Sequence, residues 1–472
     1  MRRSLTDWLD RRTGIRGLLR YALDEPIPGG ARLAYVFGSG LLFLFLSQVI
    51  TGVFLALYYV PSADHAHTTV AYIVKEVSSG SFIRSLHVYG SSAMIIVLLL
   101  HVGQTILFGS YKDYRELLWL AGCVLFALIL GMAFTGYLLP WDQKAYFATA
   151  VGTNILAEVP LIGSWLKQFV RGGNDLGTLT ISRFFVAHVF LLPAAIFAFV
   201  GAHVFLFRKA GAAGPPVPVQ PDTAESFYPR QVVMDVGFTA VLILALGLLA
   251  WVVPAELGPE ANAADTRFLP RPEWYYVPVF QWLKYWPGGR AVLGIIVIPT
   301  LVAALFAALP FIDRSGERRA WRRPFTIGGF ALVMAALVAL GVQSHVQDAR
   351  DPAIARQLTV QHDAVEAFMS EAFEPELAAG SLKVENAALT NPVAAHGKSV
   401  FADQACDACH GADARGTDSA PSLIGVARKY PNGQLRSLLK TPSAKMSDGG
   451  MQPLDAPDPD LDALVAYLES LK

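Results

Sequence analysis

Residues 84–108 read RSLHVYGSSAMIIVLLLHVGQTILF, and residues 183–208 read RFFVAHVFLLPAAIFAFVGAHVFLFR. Each stretch is apolar over roughly the 20 residues that a helix needs to cross a bilayer. Each also carries two histidines: His87 and His101, 14 residues apart, and His188 and His203, 15 apart. On a helix, 14 residues advance about 21 Å and make nearly four whole turns, so the first pair faces one way. An interval of 15 leaves the second pair about 60° out of line, still broadly on one side. Two helices that each present a histidine near both membrane faces can clamp two stacked hemes between paired imidazoles. A lone intramembrane histidine more often makes an interhelical hydrogen bond. Four in paired registers, in a chain with 10 histidines, favour the hemes.

Two neighbouring apolar stretches repeat the interval with glycine. Gly38 and Gly52 are 14 apart, as are Gly122 and Gly136. Glycine lets a flat macrocycle approach the backbone, although small residues also serve ordinary helix packing in membranes. Seven stretches reach spanning length: Leu33–Tyr59, Val88–Phe108, Leu117–Leu139, Phe184–Phe207, Val232–Val253, Ala291–Phe311 and Phe325–Val342. The expected fold is all-α: a seven-helix transmembrane protein containing a heme-binding four-helix bundle, followed by a small soluble helical domain.

Composition agrees. Of 472 residues, 53% are hydrophobic and 16% charged, well under the soluble average of about 25%. The net charge of zero argues against a nucleic-acid partner. From Asp348 onward there are 18 acidic and 11 basic residues, so an acidic tail follows a mildly basic membrane part. Basic residues collect before the first span (Arg2, Arg3, Arg11, Arg12, Arg16, Arg20) and after the second (Lys112, Arg115). They recur after the fourth (Arg208, Lys209) and after the sixth (Arg314, Arg318, Arg319, Arg322, Arg323). With seven spans these positions share one side, which the positive-inside rule makes cytoplasmic, and the tail is exported. Arg2-Arg3 resembles a twin-arginine signal, but no apolar segment follows closely. Residues 1–32 read instead as an amphipathic surface segment bearing Trp8 and Leu9.

Residues 346–391 are charged and Ala- and Glu-rich and read as a linker with helical pieces. Residues 392–472 contain Cys406-Asp407-Ala408-Cys409-His410, the C-x-x-C-H pattern of c-type heme attachment. Two thiols add to the vinyl groups and the histidine becomes the proximal iron ligand. A redox dithiol or half of a zinc site would need a βαβ setting or a second Cys/His pair, and neither is present in the sequence. This segment resembles a class I cytochrome c, and the resemblance implies a methionine as sixth ligand on the following loop: Met451, with Met446 as its rival.

These features resemble cytochrome b of the bc1/b6f family over residues 25–345. The carrying motifs are the His and Gly pairs, Gly136-Tyr137-Leu138-Leu139-Pro140-Trp141-Asp142-Gln143, and Pro272-Glu273-Trp274-Tyr275. The 15-residue interval, the Pro-Trp-Asp-Gln form and the seven spans resemble the b6 and subunit IV branch, with residues 33–210 matching the former and 211–345 the latter. Residues 392–472 resemble a class I cytochrome c, with helices at Ala394–Gln404 and Leu461–Leu471. The resemblance implies that His87 and His188 ligate a low-potential heme b near the exported face, and His101 and His203 a high-potential heme b near the cytoplasm. Arg84 and Arg208 would pair with propionates, unless they anchor helix ends at the interface. Glu273 and Tyr275, with the Pro140–Tyr146 segment, would form a quinol-oxidation site. At the position of the b6-type cysteine that tethers an extra heme this chain has Val36, so one covalent heme c is expected. The resemblance further implies a quinol:cytochrome c oxidoreductase subunit in a bacterial inner membrane, homodimeric within a multi-subunit complex. Its partners would be membrane lipid, a Rieske iron–sulfur protein, and a soluble or membrane cytochrome c or terminal oxidase as acceptor. The competing readings are a diheme membrane anchor of a dehydrogenase or hydrogenase, against which Pro272–Tyr275 argues, and a non-catalytic electron wire.

Overall fold

The computed structural model describes residues 5–217, 223–265, 267–373, 392–411, 414–417, 420–430, 433–443, 446–447 and 450–471. The chain forms two units, Met1–Phe373 and Glu374–Lys472. Among the described residues, seven helices are long and apolar enough to span a membrane. They are Phe37–Ala56, Gly80–Phe108, Glu116–Leu138, Thr178–Ala210, Arg230–Val252, Gly288–Ala307 and Pro324–Arg350. The expected amphipathic N-terminal segment is two short helices, Leu5–Thr13 and Ile15–Leu23, broken at Gly14 with φ 65°. Pro26–Ile27 pairs antiparallel with Glu225–Ser226, tying this segment to the approach of the fifth span.

Several helices overrun their apolar stretches. The second span starts at Gly80 and the seventh runs to Arg350, because backbone hydrogen bonding continues where the side chains turn polar. The fourth span solves a register problem. Ala187–Leu191 is a π-helical turn, just before Pro193. A π turn accommodates one residue more than an α turn, and proline has no N–H to continue the ladder. The extra residue of the 15-residue interval is absorbed there, beside His188.

The first four spans form the bundle. Leu44 and Phe45, Met94 and Val97, and Ile196 pack as a buried layer at its middle, between the two histidine levels. At one end the basic segments converge. Lys112 forms an ion pair with Asp313 at 2.5 Å, the Tyr111 hydroxyl donates to Asp313 at 2.6 Å, and Arg323 donates to that hydroxyl at 3.0 Å. Arg115 donates to the carbonyls of Ala210 and Gly211, and Arg318 to those of Ala213 and Gly214. Burial would raise the Asp313 carboxyl, but hydrogen bonds from Lys112, Tyr111 and Ser315 hold it below its usual range.

At the opposite end the two halves of the membrane unit are stitched together. Asp142 caps the helix Gln143–Ala157 by accepting from Ala145 N at 2.8 Å, and its other oxygen accepts from Gly258 N at 3.2 Å. Gln143 N donates to Pro259 O and Ala261 N to Trp141 O. The stretch after the seventh span, expected as a linker with helical pieces, begins with a helix, Pro352–Ser370, capped by Asp351. Lys75 donates to the carbonyls of Phe368 and Glu371 at its far end, where a cation also suits the helix dipole. Gln361 exchanges hydrogen bonds with Leu269, and Arg271 grips Asp348 through two bonds of 2.7 Å. The remaining linker positions, 374–391, lie outside the described residues.

The second unit is built on two helices, Pro392–Asp403 and Asp458–Ser470, close to the expected bounds. Phe401 packs on Tyr467 with ring centres 5.5 Å apart. Gly397 lies so near the Ala463 carbonyl that any side chain would collide with it, which fixes this crossing to glycine.

Candidate functional site

The π turn and the helix registers bring the four histidines together in two levels. His87 faces His188 with ring centres 6.2 Å apart, and His101 faces His203 at 6.5 Å. The glycines sort to the same levels. A Cβ on Gly52 would meet His87 at 3.2 Å, and one on Gly136 would collide with His188. A Cβ on Gly122 would meet His203 at 3.4 Å, and one on Gly38 would meet His101 at 3.8 Å. Each level is therefore two imidazoles and two bare backbones, one from each of four helices.

At the His87–His188 level the ring nitrogens are oriented by neighbours. Thr51 donates its hydroxyl proton to the Ser47 carbonyl at 2.7 Å, so its oxygen accepts from His87 Nδ1 at 2.9 Å. His188 Nδ1 donates to the Met132 carbonyl at 3.1 Å, beside the Thr135 hydroxyl at 3.3 Å. With the proton on Nδ1, the Nε2 lone pair of both rings is left for a metal. Two imidazole nitrogens each about 2.0–2.1 Å from one metal, on rings whose centres lie roughly 1.1 Å behind, put ring centres roughly 6.2–6.4 Å apart. The observed 6.2 Å falls in this range and the observed 6.5 Å lies about 0.1 Å beyond it. No group of three or more His, Cys, Asp or Glu side chains converges on a metal among the described residues. Two imidazoles per level would hold a metal-bearing group, and the glycine backbones leave room beside them for a flat one. The residues fit a heme at each level.

The two arginines meet protein groups. Arg84 is buried and donates to the carbonyls of Ala255 and Glu256 at 2.8 and 2.9 Å. Arg208 pairs with Glu25 at 2.6 Å. Both hold helix ends to neighbouring segments.

At the end away from the basic loops, a cavity of about 320 Å³ reaches the first level. His87, His188, Tyr137, Lys144, Glu273 and Tyr275 all line it. The Glu273 loop is fixed on both sides, by Arg271 on Asp348 and by the Tyr276 hydroxyl donating to the Leu130 carbonyl at 2.8 Å. Glu273 Oε1 lies 2.8 Å from Lys144 Nζ. Burial, with Glu273 adding to it, pushes the Tyr275 phenol above its ordinary range and keeps it a proton-bearing donor.

In the second unit, Cys406–His410 forms one helical turn. His410 Nδ1 donates to the Pro421 carbonyl at 2.8 Å, which again leaves Nε2 for iron. Burial, aided by Asp407, pushes the Cys406 thiol up, while Cys409 is exposed, and the two are not joined in a disulfide. Met451 packs against the hydrophobic core of this unit together with Cys406, and Met446 is not part of that cluster. Here too the donor set, two thiols, an imidazole and a thioether, fits a covalently held heme.

Comparison with known proteins agrees with this geometry. Residues 22–211 match the family model of cytochrome b/b6/petB, residues 260–360 that of cytochrome b(C-terminal)/b6/petD, and residues 394–472 that of cytochrome c. The chain is 33% identical over 348 residues to the cytochrome bc complex cytochrome b subunit of Chlorobaculum thiosulfatiphilum, covering 71% of this chain and 80% of that one. The chain belongs to the cytochrome b family. The menaquinol:cytochrome c reductase cytochrome b subunit of Bacillus subtilis (strain 168) is 41% identical over 223 residues, 46% of this chain and 100% of its own. A solved chain of a hyperthermophilic respiratory Complex III superposes with a TM-score of 0.66 at 28% identity, covering 77% of this chain and 97% of that one. This cytochrome b thus joins b6-like and petD-like parts to a cytochrome c domain in one chain.

Three site residues of this cytochrome b escaped the sequence reading. Thr51 and Thr135 orient the imidazoles, and each precedes a cradle glycine. The Thr-Gly pair repeated in two helices was the available signal. Lys144 carried none beyond a cation next to a motif.

Proposed function

We propose that this chain is the cytochrome b subunit of a bc-type quinol:cytochrome c reductase, with its own fused electron carrier. The observation that carries the reading is the single cavity shared by the His87–His188 level and by Glu273 and Tyr275. A diheme anchor needs no acid–base pair opening on its heme level, so this juxtaposition favours the reductase over a dehydrogenase or hydrogenase anchor.

His87 and His188 would hold one heme b, His101 and His203 the second, and Cys406, Cys409, His410 and Met451 the heme c. Bound there, these groups supply one-electron transfer, with imidazole–thioether ligation favouring a higher potential in the tail. The chain's residues do the rest. The apolar cavity excludes water, Tyr275 presents a hydroxyl, and Glu273 accepts a quinol proton and passes it towards solvent. Of the two electrons, one would go to a Rieske protein and the other to the groups held at the two histidine levels, and a soluble or membrane cytochrome c or terminal oxidase would receive electrons from the tail. The convergence of the basic loops at one end supports a cytoplasmic N-terminus. Quinol oxidation and the heme c unit would then lie on the exported side of a bacterial inner membrane.

Glu273→Gln tests this. In purified complex containing the Rieske subunit, quinol-dependent reduction of the heme c should fall by about 10²–10⁴-fold, the usual loss for a general base. The heme content should not change. Wild-type turnover would remove Glu273 from the mechanism, and loss of b hemes would make its role structural.

A further inference from the structure

The Lys144–Glu273 ion pair joins two backbones that are each held elsewhere. Lys144 sits in the first turn of the helix Gln143–Ala157, which Asp142 caps and the Gln143–Pro259 hydrogen bond fixes to the other half. Glu273 sits on the loop clamped by Arg271 and Tyr276. Only the two side chains are at liberty to make or break the 2.8 Å contact, and both line the cavity. They are 47% and 30% exposed, so the pair adds little to stability. Its geometry calls for another role.

We propose, on the reading of this cavity as the quinol-oxidation site, that Lys144 is a positioning residue for Glu273. Its ammonium, 2.8 Å from Oε1, holds the carboxylate turned to one wall of the cavity, ready to accept. When quinol donates, one O–H bond breaks and an Oε–H bond forms on Glu273, the other hydroxyl proton leaves with the electron taken by the Rieske protein, and the second electron leaves for the groups the histidine levels would hold. The neutral carboxyl loses its charge attraction to Lys144, and the side chain can swing towards water. Once it releases the proton, the carboxylate is drawn back. A lysine suits this cycle, because its ammonium is a compact charge on a flexible stem that grips without the planar bidentate hold of arginine. Glutamate alone, with three rotatable bonds, would spread over several rotamers and lose orientation.

The test is a double-mutant cycle on the purified complex: Lys144→Met, Glu273→Gln, both together, and Lys144→Arg. Turnover number and KM for quinol are measured, with heme spectra on each sample. Lys144→Met should lower kcat/KM by roughly 3- to 100-fold, within the range spanned by coupled neighbours, with full heme content. Lys144→Arg should recover part of that loss. In the Glu273→Gln background, Lys144→Met should have no further effect. Wild-type kinetics in Lys144→Met alongside a slow Glu273→Gln would overturn the proposal and leave the quinol site standing. Additive losses in the double variant would also overturn it, because Lys144 would then act without Glu273. Loss of b hemes in Lys144→Met would make it a structural residue. A wild-type Glu273→Gln would instead bring down the reading on which the proposal rests.

Discussion

On the proposed reading, the membrane bundle and the tail unit would hold the same kind of group by opposite means. In the bundle, each level draws one residue from each of four helices, two imidazoles and two glycines, and nothing is covalent. In the tail, the residues proposed as ligands lie on a single helical turn and one loop, with thiols that would form bonds to the group. The difference follows from size. A bundle of long helices can enclose a macrocycle in a pre-shaped apolar slot. A unit of about 80 residues buries a smaller share of its surface and gains from covalent attachment. The bundle should therefore be sensitive to shape and the tail to chemistry.

The largest expected effect is on shape. Gly136→Leu puts a side chain into the His188 ring, and should remove the heme of that level, taking heme b from two per chain to one. Heme staining of the tail on a denaturing gel should be unchanged. Full b-heme content in the variant would break the contrast, because the bundle would then tolerate a lost cradle.

A middle-sized effect concerns the thioether. Met451→Ala should abolish the methionine–iron charge-transfer band and lower the potential of the c heme, while the b bands persist and the covalent heme remains. An unchanged band would move the ligand to Met446.

The smallest concerns orientation. Thr135→Val deletes a hydroxyl beside His188 Nδ1 but leaves the Met132 carbonyl as acceptor. Affinity for heme at that level should fall by about 10-fold, the lower end of the 10- to 100-fold range for such supporting groups. Competition with an apo-heme scavenger would read this, and an unchanged affinity would assign orientation to the carbonyl alone.

The same contrast explains what the sequence made legible. Apolar length and the repeated intervals were enough for seven spans and for the His and Gly levels, since a helix converts spacing directly into facing. The C-x-x-C-H turn is local and needed no tertiary information. What did not show was whatever depends on one element meeting another. The 15-residue interval looked like a rotated histidine, and the π turn at Ala187–Leu191 that corrects it has no reliable mark apart from Pro193. Arg84 looked equally suited to a propionate and to a helix end, and its buried hydrogen bonds to Ala255 and Glu256 come from a loop about 170 residues away. The helix Pro352–Ser370 fits a helical piece of the linker, but its docking did not show: Gln361 and Asp348 tie it and its approach to Leu269 and Arg271, just before Glu273, and Lys75 holds its far end. Lys144 was invisible for the same reason, since its partner lies on the other half of the membrane unit.

The most direct test of the two-mode account is the heme count of the purified complex by pyridine hemochrome, measured for wild type and for Cys406→Ala. The chain should contain two extractable b hemes and one covalent c heme, and the variant should keep both b hemes and lose the covalent one. A covalent heme that survives Cys406→Ala, or a wild-type ratio of one b to one c, would contradict it.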